Sequence, residues 1–198
     1  MISEELLLKY NGRKNFYSKG SYLFHEHRQA LHYFQVATGE VKMCNYNDEG
    51  REFIQGIFTE SDSFGEPPLL NGKLYLTNAI ALTDSEVWMV SKENFVKMLS
   101  ENTSAAMAIC TRLSNRLYYK SIMAMELSSE VAEHRLLRFF DFLKLDVANL
   151  EKDDSYAVNL TRQQLADLTG LRVETVIRSV KSLEKKNLIT IKERKIYR

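Results

Sequence analysis

Leu160-Thr161-Arg162-Gln163-Gln164-Leu165-Ala166-Asp167-Leu168-Thr169, then Gly170, then the run from Arg172 through Val173-Glu174-Thr175-Val176-Ile177-Arg178 to Lys185, decides the fold of the C-terminal part. Thr161 and Gln164 stand three apart at the head of an apolar-periodic run. That spacing predicts a capping box, in which hydroxyl and amide each satisfy a backbone group left unpaired at a helix start. Gly170 supplies the left-handed conformation that ends such a helix. A second helix is predicted from about Arg172 to Lys185, and two short helices joined by a glycine turn make a helix-turn-helix. At about 100° per residue, Val173, Val176, Val180 and Leu183 gather on one arc and should face a core. Glu174, Arg178 and Lys181 gather on the opposite arc, with Ile177 beside them. A major groove offers a cytosine amino donor for Glu174, guanine acceptors for Arg178 and a thymine methyl for Ile177. Lys181 suits a phosphate. A Glu–Arg pair four residues apart is also a common feature of exposed helix faces, so the flanking sequence must decide between the two.

The segment C-terminal to the second helix favours the nucleic-acid reading. Asn187-Leu188-Ile189-Thr190-Ile191 and Lys195-Ile196-Tyr197 flank Lys192-Glu193-Arg194, which predicts a β-hairpin with a basic tip, a wing. Lys192, Arg194, Lys195 and Arg198 are expected near a phosphate backbone. Charge is distributed to match. Residues 159–198 hold ten Lys/Arg and four Asp/Glu, a net of +6, whereas the remainder carries 17 basic and 22 acidic residues, a net of −5. A basic C-terminal segment on a chain of net charge +1 points to a local anion partner.

Upstream, residues 16–95 read as short strands rich in β-branched and aromatic residues: Phe16-Tyr17, Tyr22–Phe24, His32–Val36, Glu40–Cys44, Glu52–Ile54 and Glu86–Val90. Turn signals punctuate them at Lys19-Gly20, Thr38-Gly39, Asn47-Asp48-Glu49-Gly50 and Asn71-Gly72. Many short strands at this spacing predict an antiparallel barrel or roll. From about Ser91 the period changes. Residues 103–128 lack Gly and Pro, and Ala106, Cys110, Leu113, Leu117, Ala124 and Leu127 recur at alternating four- and three-residue steps, interrupted at Lys120. Such a seam pairs with its own barrel or with its twin in a second copy, and a long helix between two domains favours the twin. Val131, Leu136, Leu137, Phe139, Phe140 and Leu143 give a further helix over 130–145, and Asp146–Ser155 reads as a polar linker. The fold class is therefore α+β: a sensor unit over 1–127 that includes the long helix, and a winged helix-turn-helix over 128–198.

No run approaches 18 apolar residues, so no membrane span is expected. The start, Met1-Ile2-Ser3-Glu4-Glu5, has neither the basic nor the apolar region of a signal peptide. Cys44 and Cys110 are far apart and fit two thiols in a reducing cytoplasm. His25-Glu26-His27 with His32 could suggest the metal site of a cupin-like enzyme, but Leu31 and His32 stand where such a site needs a carboxylate. A haem sensor could draw on Cys44, Cys110 or a histidine as axial ligand, yet none sits in a haem motif. The expectation is a protein without catalytic residues, metal or resident cofactor.

These motifs together resemble the family of the cyclic-AMP receptor protein and FNR, over nearly the whole chain. The resemblance rests on Thr161–Ala166, Gly170, Glu174-Thr175-Val176, Arg178, Leu183-Glu184 and Asn187-Leu188-Ile189. It extends to Ala132-Glu133-His134-Arg135-Leu136 and, in the strand region, to Gly39-Glu40-Val41, Asn47–Gly50 and Phe64-Gly65-Glu66. It implies a β-roll sensor, a long central dimer helix and a winged helix-turn-helix that binds double-stranded DNA as a homodimer, with RNA polymerase as a further partner. Family base contacts fall on Glu174 and Arg178, with Val173 and Ile177 at two further reading positions. Family phosphate contacts fall on Thr161, Arg162 and Gln163, and Arg172, Thr175, Lys181 and Arg194 join them as candidates. A switch is expected to hinge near Ser128-Ser129.

The effector pocket departs from the family. Gly65 and Glu66 remain, but Leu76 or Tyr75 occupies the place of the arginine that holds a cyclic-nucleotide phosphate, beside Thr77 in the place of its hydroxyl partner. Pro67 and Pro68 remove backbone donors. Lys120-Ser121 stands where cyclic-AMP binders carry two hydroxyl residues. The sequence is equally compatible with a small-molecule effector of unidentified class and with activity without one, and cyclic AMP is not expected to bind.

Overall fold

The computed structural model describes residues 2–127, 131–148 and 150–198, together with all side chains of these except those of Glu126 and Leu127. The chain divides into two compact units, one up to Leu113 and one from Ser114. The division falls inside a single helix.

The first unit is a β-roll of two four-stranded antiparallel sheets. Strands β1 (Arg13–Tyr17), β8 (Ser85–Ser91), β3 (His32–Thr38) and β6 (Ser63–Phe64) form one in the order β1-β8-β3-β6, and β2 (Tyr22–Phe24), β7 (Asn78–Ala81), β4 (Val41–Tyr46) and β5 (Glu52–Phe58) form the other in the order β2-β7-β4-β5. Helices α1 (Glu4–Lys9), α2 (Glu66–Asn71) and α3 (Lys92–Glu101) pack around them. Aromatic rings fill the interior. Phe24 stacks on Tyr75 at 3.7 Å, Phe34 on Phe64 at 5.4 Å and Tyr33 on Phe95 at 4.3 Å. The predicted hairpin is present between β4 and β5. Gly50 takes φ +73°, and Asn47 Oδ1 accepts from the backbone N–H groups of Glu49 and Arg51 at 3.1 and 2.8 Å. That side-chain turn fixes the register across the two strands.

Period-2 alternation in β4 sends Val41 and Met43 to the core and Lys42, Cys44 and Tyr46 to the other face. There Lys42 and Tyr46 both donate to Glu52, at 2.6 and 2.9 Å. Cys44 lies fully buried beneath them, and burial together with the neighbouring Glu52 carboxylate pushes its thiol up to about 12. A thiol that stays protonated and inaccessible does not attack disulfides. Native protein treated with an aromatic disulfide reagent should therefore leave Cys44 unmodified until denaturant is added, and rapid labelling of both thiols in native protein would contradict this.

Helix α4 (Thr103–Leu127) runs for 25 residues without a cap-like break. Its first half belongs to the roll: Ala105 and Ile109 are buried in the core, and Arg112 pairs with Asp62 at 2.5 Å. Of the predicted seam, Leu113 packs in part against the chain's own roll, Ala106 is half-buried, and Cys110, Leu117 and Ala124 face solvent in a single chain. Leu127's side chain lies outside the described residues.

In the second unit, Met123 of α4, with Tyr119, joins a core built by α5 (Ala132–Phe142), α6 (Arg162–Thr169), α7 (Val173–Lys185) and a small sheet. The sheet orders β10 (Thr190–Lys192), β11 (Lys195–Tyr197) and β9 (Ala157–Val158) as β10-β11-β9. Leu136, Phe140, Leu165, Val176, Leu183 and Ile196 are fully buried. The predicted helix over 130–145 ends as a π turn over Leu143–Val147. The predicted linker after it is partly structured, since the π turn reaches Val147, Leu150 N donates to Lys144 O at 3.0 Å and Glu151 N to Asp154 Oδ2 at 2.8 Å; beyond it β9 pairs with the wing's second strand at Val158↔Ile196.

Candidate nucleic-acid interface

The two short helices are held by the devices read from the sequence. Thr161 Oγ1 accepts from Gln164 N at 3.1 Å, and Gln164 Oε1 accepts from Thr161 N at 2.8 Å, which closes the capping box. Gly170 ends α6 at φ +66°. Buried Arg135 donates from Nη1 to Thr169 O at 3.2 Å and so supports the turn from behind. Arg172 caps α7 with extended backbone, and Val176, Val180 and Leu183 anchor it in the core. At the far end Asn187 adopts φ +57°, while Leu188 N donates to Leu183 O at 3.0 Å. This left-handed exit turns the chain into the wing.

With one face anchored, the opposite face of α7 is presented to solvent. Glu174, Ile177, Arg178 and Lys181 together line one shallow open concavity. Ile177 keeps 41% of its surface exposed and is the one apolar side chain among the four. Val173 does not join them. It is half-buried against the core and offers a groove no more than part of a methyl surface. Thr175 is half-buried and Arg172 exposed.

A second concavity joins the head of α6 to the wing and is lined by Asn159, Thr161, Arg162, Arg194 and Lys195, among others. Burial lowers the pKa of the Arg162 guanidinium from its ordinary value, since its charge is partly desolvated. Gln163 is exposed and donates to Asp167 Oδ1 at 2.8 Å. The wing turns through Glu193 at φ +49° and Arg194 at φ +66°. Two positive φ values in a row match the twist of a two-residue hairpin, although Asn-Gly would adopt them with less strain. Arg198 does not join the basic surface. It is turned inward, with Nε at 2.6 Å from Asp141 Oδ1 and Nη1 at 2.7 Å from Leu188 O, so the expectation of a phosphate contact is corrected. The acidic partner sits 57 residues upstream, and no local pattern marks it.

In the roll, Gly65 takes φ +79° and opens α2, whose first turn accommodates Pro67 and Pro68. Glu66 is fully buried and accepts from the Ser63 hydroxyl at 2.5 Å. Tyr75 is buried on Phe24, and burial pushes its hydroxyl up to about 12. A Cβ on Gly65 would stand 3.3 Å from the Tyr75 ring and 3.5 Å from that of Phe24, so this aromatic pair crowds the start of α2. Leu76 is 74% exposed. Thr77 is buried, with its hydroxyl oxygen lacking a hydrogen-bond partner among the described residues. Lys120 and Ser121 lie on α4 beyond the division, where Ser121 donates back to Leu117 O at 2.9 Å. Of the histidines, His25 stacks on Tyr22 at 4.3 Å and His32 packs edge-on to Phe34. Among the described residues no three His, Cys, Asp or Glu side chains converge as a metal would require, and no helix is long and apolar enough to cross a membrane.

Comparison with known proteins agrees with both units. A model for the cyclic nucleotide-binding domain matches residues 14–102, and one for the Crp-like helix-turn-helix domain matches residues 134–197. The cAMP-activated global transcriptional regulator CRP of Salmonella typhimurium is 26% identical over 175 residues, covering 88% of this chain and 83% of that protein. CRP of Haemophilus influenzae is 26% identical over 174 residues, covering 87% and 78%. Among solved structures, the c-di-GMP responsive global regulator CLP of Xanthomonas campestris superposes with a TM-score of 0.75 at 22% identity, over 97% of this chain and 95% of that one. FixK2 of Bradyrhizobium japonicum gives 0.74 at 22%, over 93% and 91%. With a roll that matches the cyclic nucleotide-binding domain model, a long helix and a Crp-like helix-turn-helix in this order, the chain belongs to the CRP/FNR family of transcription regulators.

Proposed function

We propose that this regulator binds a near-palindromic operator as a homodimer, reading bases with Glu174, Arg178 and Ile177. The observation that carries this is the single exposed face of α7 on which those three and Lys181 come together. Glu174 and Arg178 are assigned to one G·C pair and Ile177 to a thymine methyl. Thr161, Arg162, Gln163, Arg172, Thr175, Lys181 and Arg194 hold phosphates, and Val173 borders the bases without a polar contact. Exposed Cys110, Leu117 and Ala124 support pairing along α4, with Ala106, Leu113 and Leu127 on the same repeat. Two-fold pairing places the α7 helices about 34 Å apart, one helical turn of DNA. Residues 1–127 and 128–198 serve as sensor and reader, and the proposed hinge at Ser128-Ser129 lies outside the described residues. RNA polymerase is the expected protein partner, the cytoplasm the site of action, and no catalytic reaction is assigned. Haem- or metal-dependent sensing by the same fold is not favoured.

Selection of duplexes from a random pool tests this reading. Recovered sites should share an inverted repeat with half-site centres one turn apart and a G·C pair in each half. Recovery of no common sequence would refute it.

The roll is proposed to respond to something other than cyclic AMP. Leu76, in or beside the place of the phosphate-holding arginine, points into solvent, and Phe24 and Tyr75 crowd the start of α2. A charge-assisted bond is worth about 1.5–3 kcal/mol, so its loss weakens a nucleotide by at least tenfold. Titration with cyclic AMP should leave the melting temperature unchanged, because only a ligand held by the folded state raises it. A concentration-dependent rise would show that the roll holds the nucleotide by other groups.

A further inference from the structure

We infer that Arg198 is a positioning residue for the wing: through Asp141 and Leu188 it holds the hairpin where Arg194 and Lys195 share a surface with Arg162. The inference rests on the reading of this unit as the DNA-binding one. The wing is two strands of three residues each, β10 and β11. A hairpin of that size does not hold a fixed orientation unaided. Its second strand β11 gains a neighbour in β9 and so becomes the middle strand of three, and the pairing continues past Tyr197, where Arg198 N donates to Tyr156 O at 2.9 Å and Tyr156 N to Arg198 O at 2.8 Å.

The guanidinium then ties the end of the wing to two further places at once. Nε lies 2.6 Å from Asp141 Oδ1 and Nη2 3.3 Å from Oδ2, a two-pronged grip on α5. Nη1 donates at 2.7 Å to Leu188 O, in the turn by which α7 gives way to the wing. The planar fork of arginine suits this geometry, and the ammonium of a lysine does not. Both side chains are about two-thirds withdrawn from solvent, at 27% and 32% exposure, so the pair is less screened than a surface contact. The positive charge is met by Asp141 and the fork faces inward. Arg198 therefore acts on DNA binding through the placement of Arg194 and Lys195.

Asp141→Asn separates positioning from contact, because the two roles give opposite signs. On charge alone, removing an acid from a DNA-binding unit tightens binding, and freeing Arg198 would add a phosphate contact. If Arg198 positions the wing, Asp141→Asn must weaken binding instead. The probe is a duplex selected by the unsubstituted protein from a random pool, with affinity measured over a series of salt concentrations. Asp141→Asn and Arg198→Gln should each weaken binding by roughly two- to thirtyfold, the range seen for residues that touch no ligand. The double variant should be no weaker than the worse single, since both remove the same bond. Arg198→Lys, which keeps the charge and loses the fork, should share the loss. The salt slope should fall in all of these toward that of Arg194→Ala, which should lose about 0.9 per protomer, because a displaced wing no longer brings its cations to phosphates. Circular dichroism at the assay temperature checks that each variant is folded. Tighter binding and a steeper slope in Asp141→Asn would make Arg198 a phosphate ligand and overturn the inference, as would unchanged affinity in both single variants. If the unsubstituted protein selects no duplex, the DNA-binding reading fails, and the inference with it.

Discussion

Leu117→Glu should turn the dimer into a folded monomer and cost about two to four orders of magnitude in operator affinity. Leu117 is 67% exposed in the single chain, so a carboxylate there leaves the protomer's own packing intact. In a paired seam the same position is buried against its symmetry mate. Each protomer would lose about 1.5–3 kcal/mol of apolar burial. Two carboxylates would also be forced together in a site that hydrates neither, at a further cost of several kcal/mol per ion. Once the chains separate, each winged unit binds a half-site alone and loses the high effective concentration supplied by its partner, typically worth about 10²–10⁴. Sedimentation should show one chain and circular dichroism an unchanged helix content. Cys110, seven residues upstream on the same repeat and exposed in the single chain, should label faster in the variant than in the parent. A variant that remains dimeric with parental affinity would mean that the subunits pair through another surface.

Arg178→Ala should sharply weaken the preference for a G·C pair in each half-site, leaving only what Glu174 supplies, while the fold stays intact. A two-pronged arginine contact to guanine discriminates by about 1–3 kcal/mol, and the dimer makes it twice. The expected loss on the full operator is thus about 2–6 kcal/mol, from roughly thirtyfold to beyond ten-thousandfold. Arg178 is exposed, and alanine is the better helix former, so thermal stability should hold or rise slightly. Lys181→Ala should behave differently, weakening all sequences alike and flattening the salt dependence. Ile177→Ser should change the base preferred beside the G·C pair. Sites selected by Arg178→Ala with the G·C preference undiminished would take its reading away from Arg178.

The second unit was legible because its signals are local. A capping box, a glycine stop and an amphipathic period all lie within one or two helical turns, and each appears in the structure where the spacing put it. In the roll, strands with alternation, such as β4, were found, and β7 was not. Asn78-Ala79-Ile80-Ala81 is buried at all four positions because β7 lies between β2 and β4 with both faces covered, so no period of two exists to detect. Strands β6 and β9 are two residues each, too short to carry any period. The candidate interface was readable as far as one helix face allows. Placing Val173 among the base contacts conflicted with its own core-facing arc, and burial resolves the conflict. Arg198 was misassigned for the opposite reason: its role depends on Asp141, remote in sequence, and composition sees only another cation near a basic tip.

The wing's tip places Glu193 and Arg194, two ordinary L-residues, in left-handed conformations that asparagine and glycine adopt more readily. A left-handed backbone costs such residues about 1–2 kcal/mol each. Heat resistance and hold on the phosphate chain therefore pull in opposite directions at this tip. A lineage selected for growth at higher temperature would gain by replacing the pair with Asn-Gly, and would give up the arginine at the end of the wing in doing so. Lineages that keep the arginine must find their thermal tolerance elsewhere in the winged unit, which makes this turn a place where the sequence records which of the two demands prevailed.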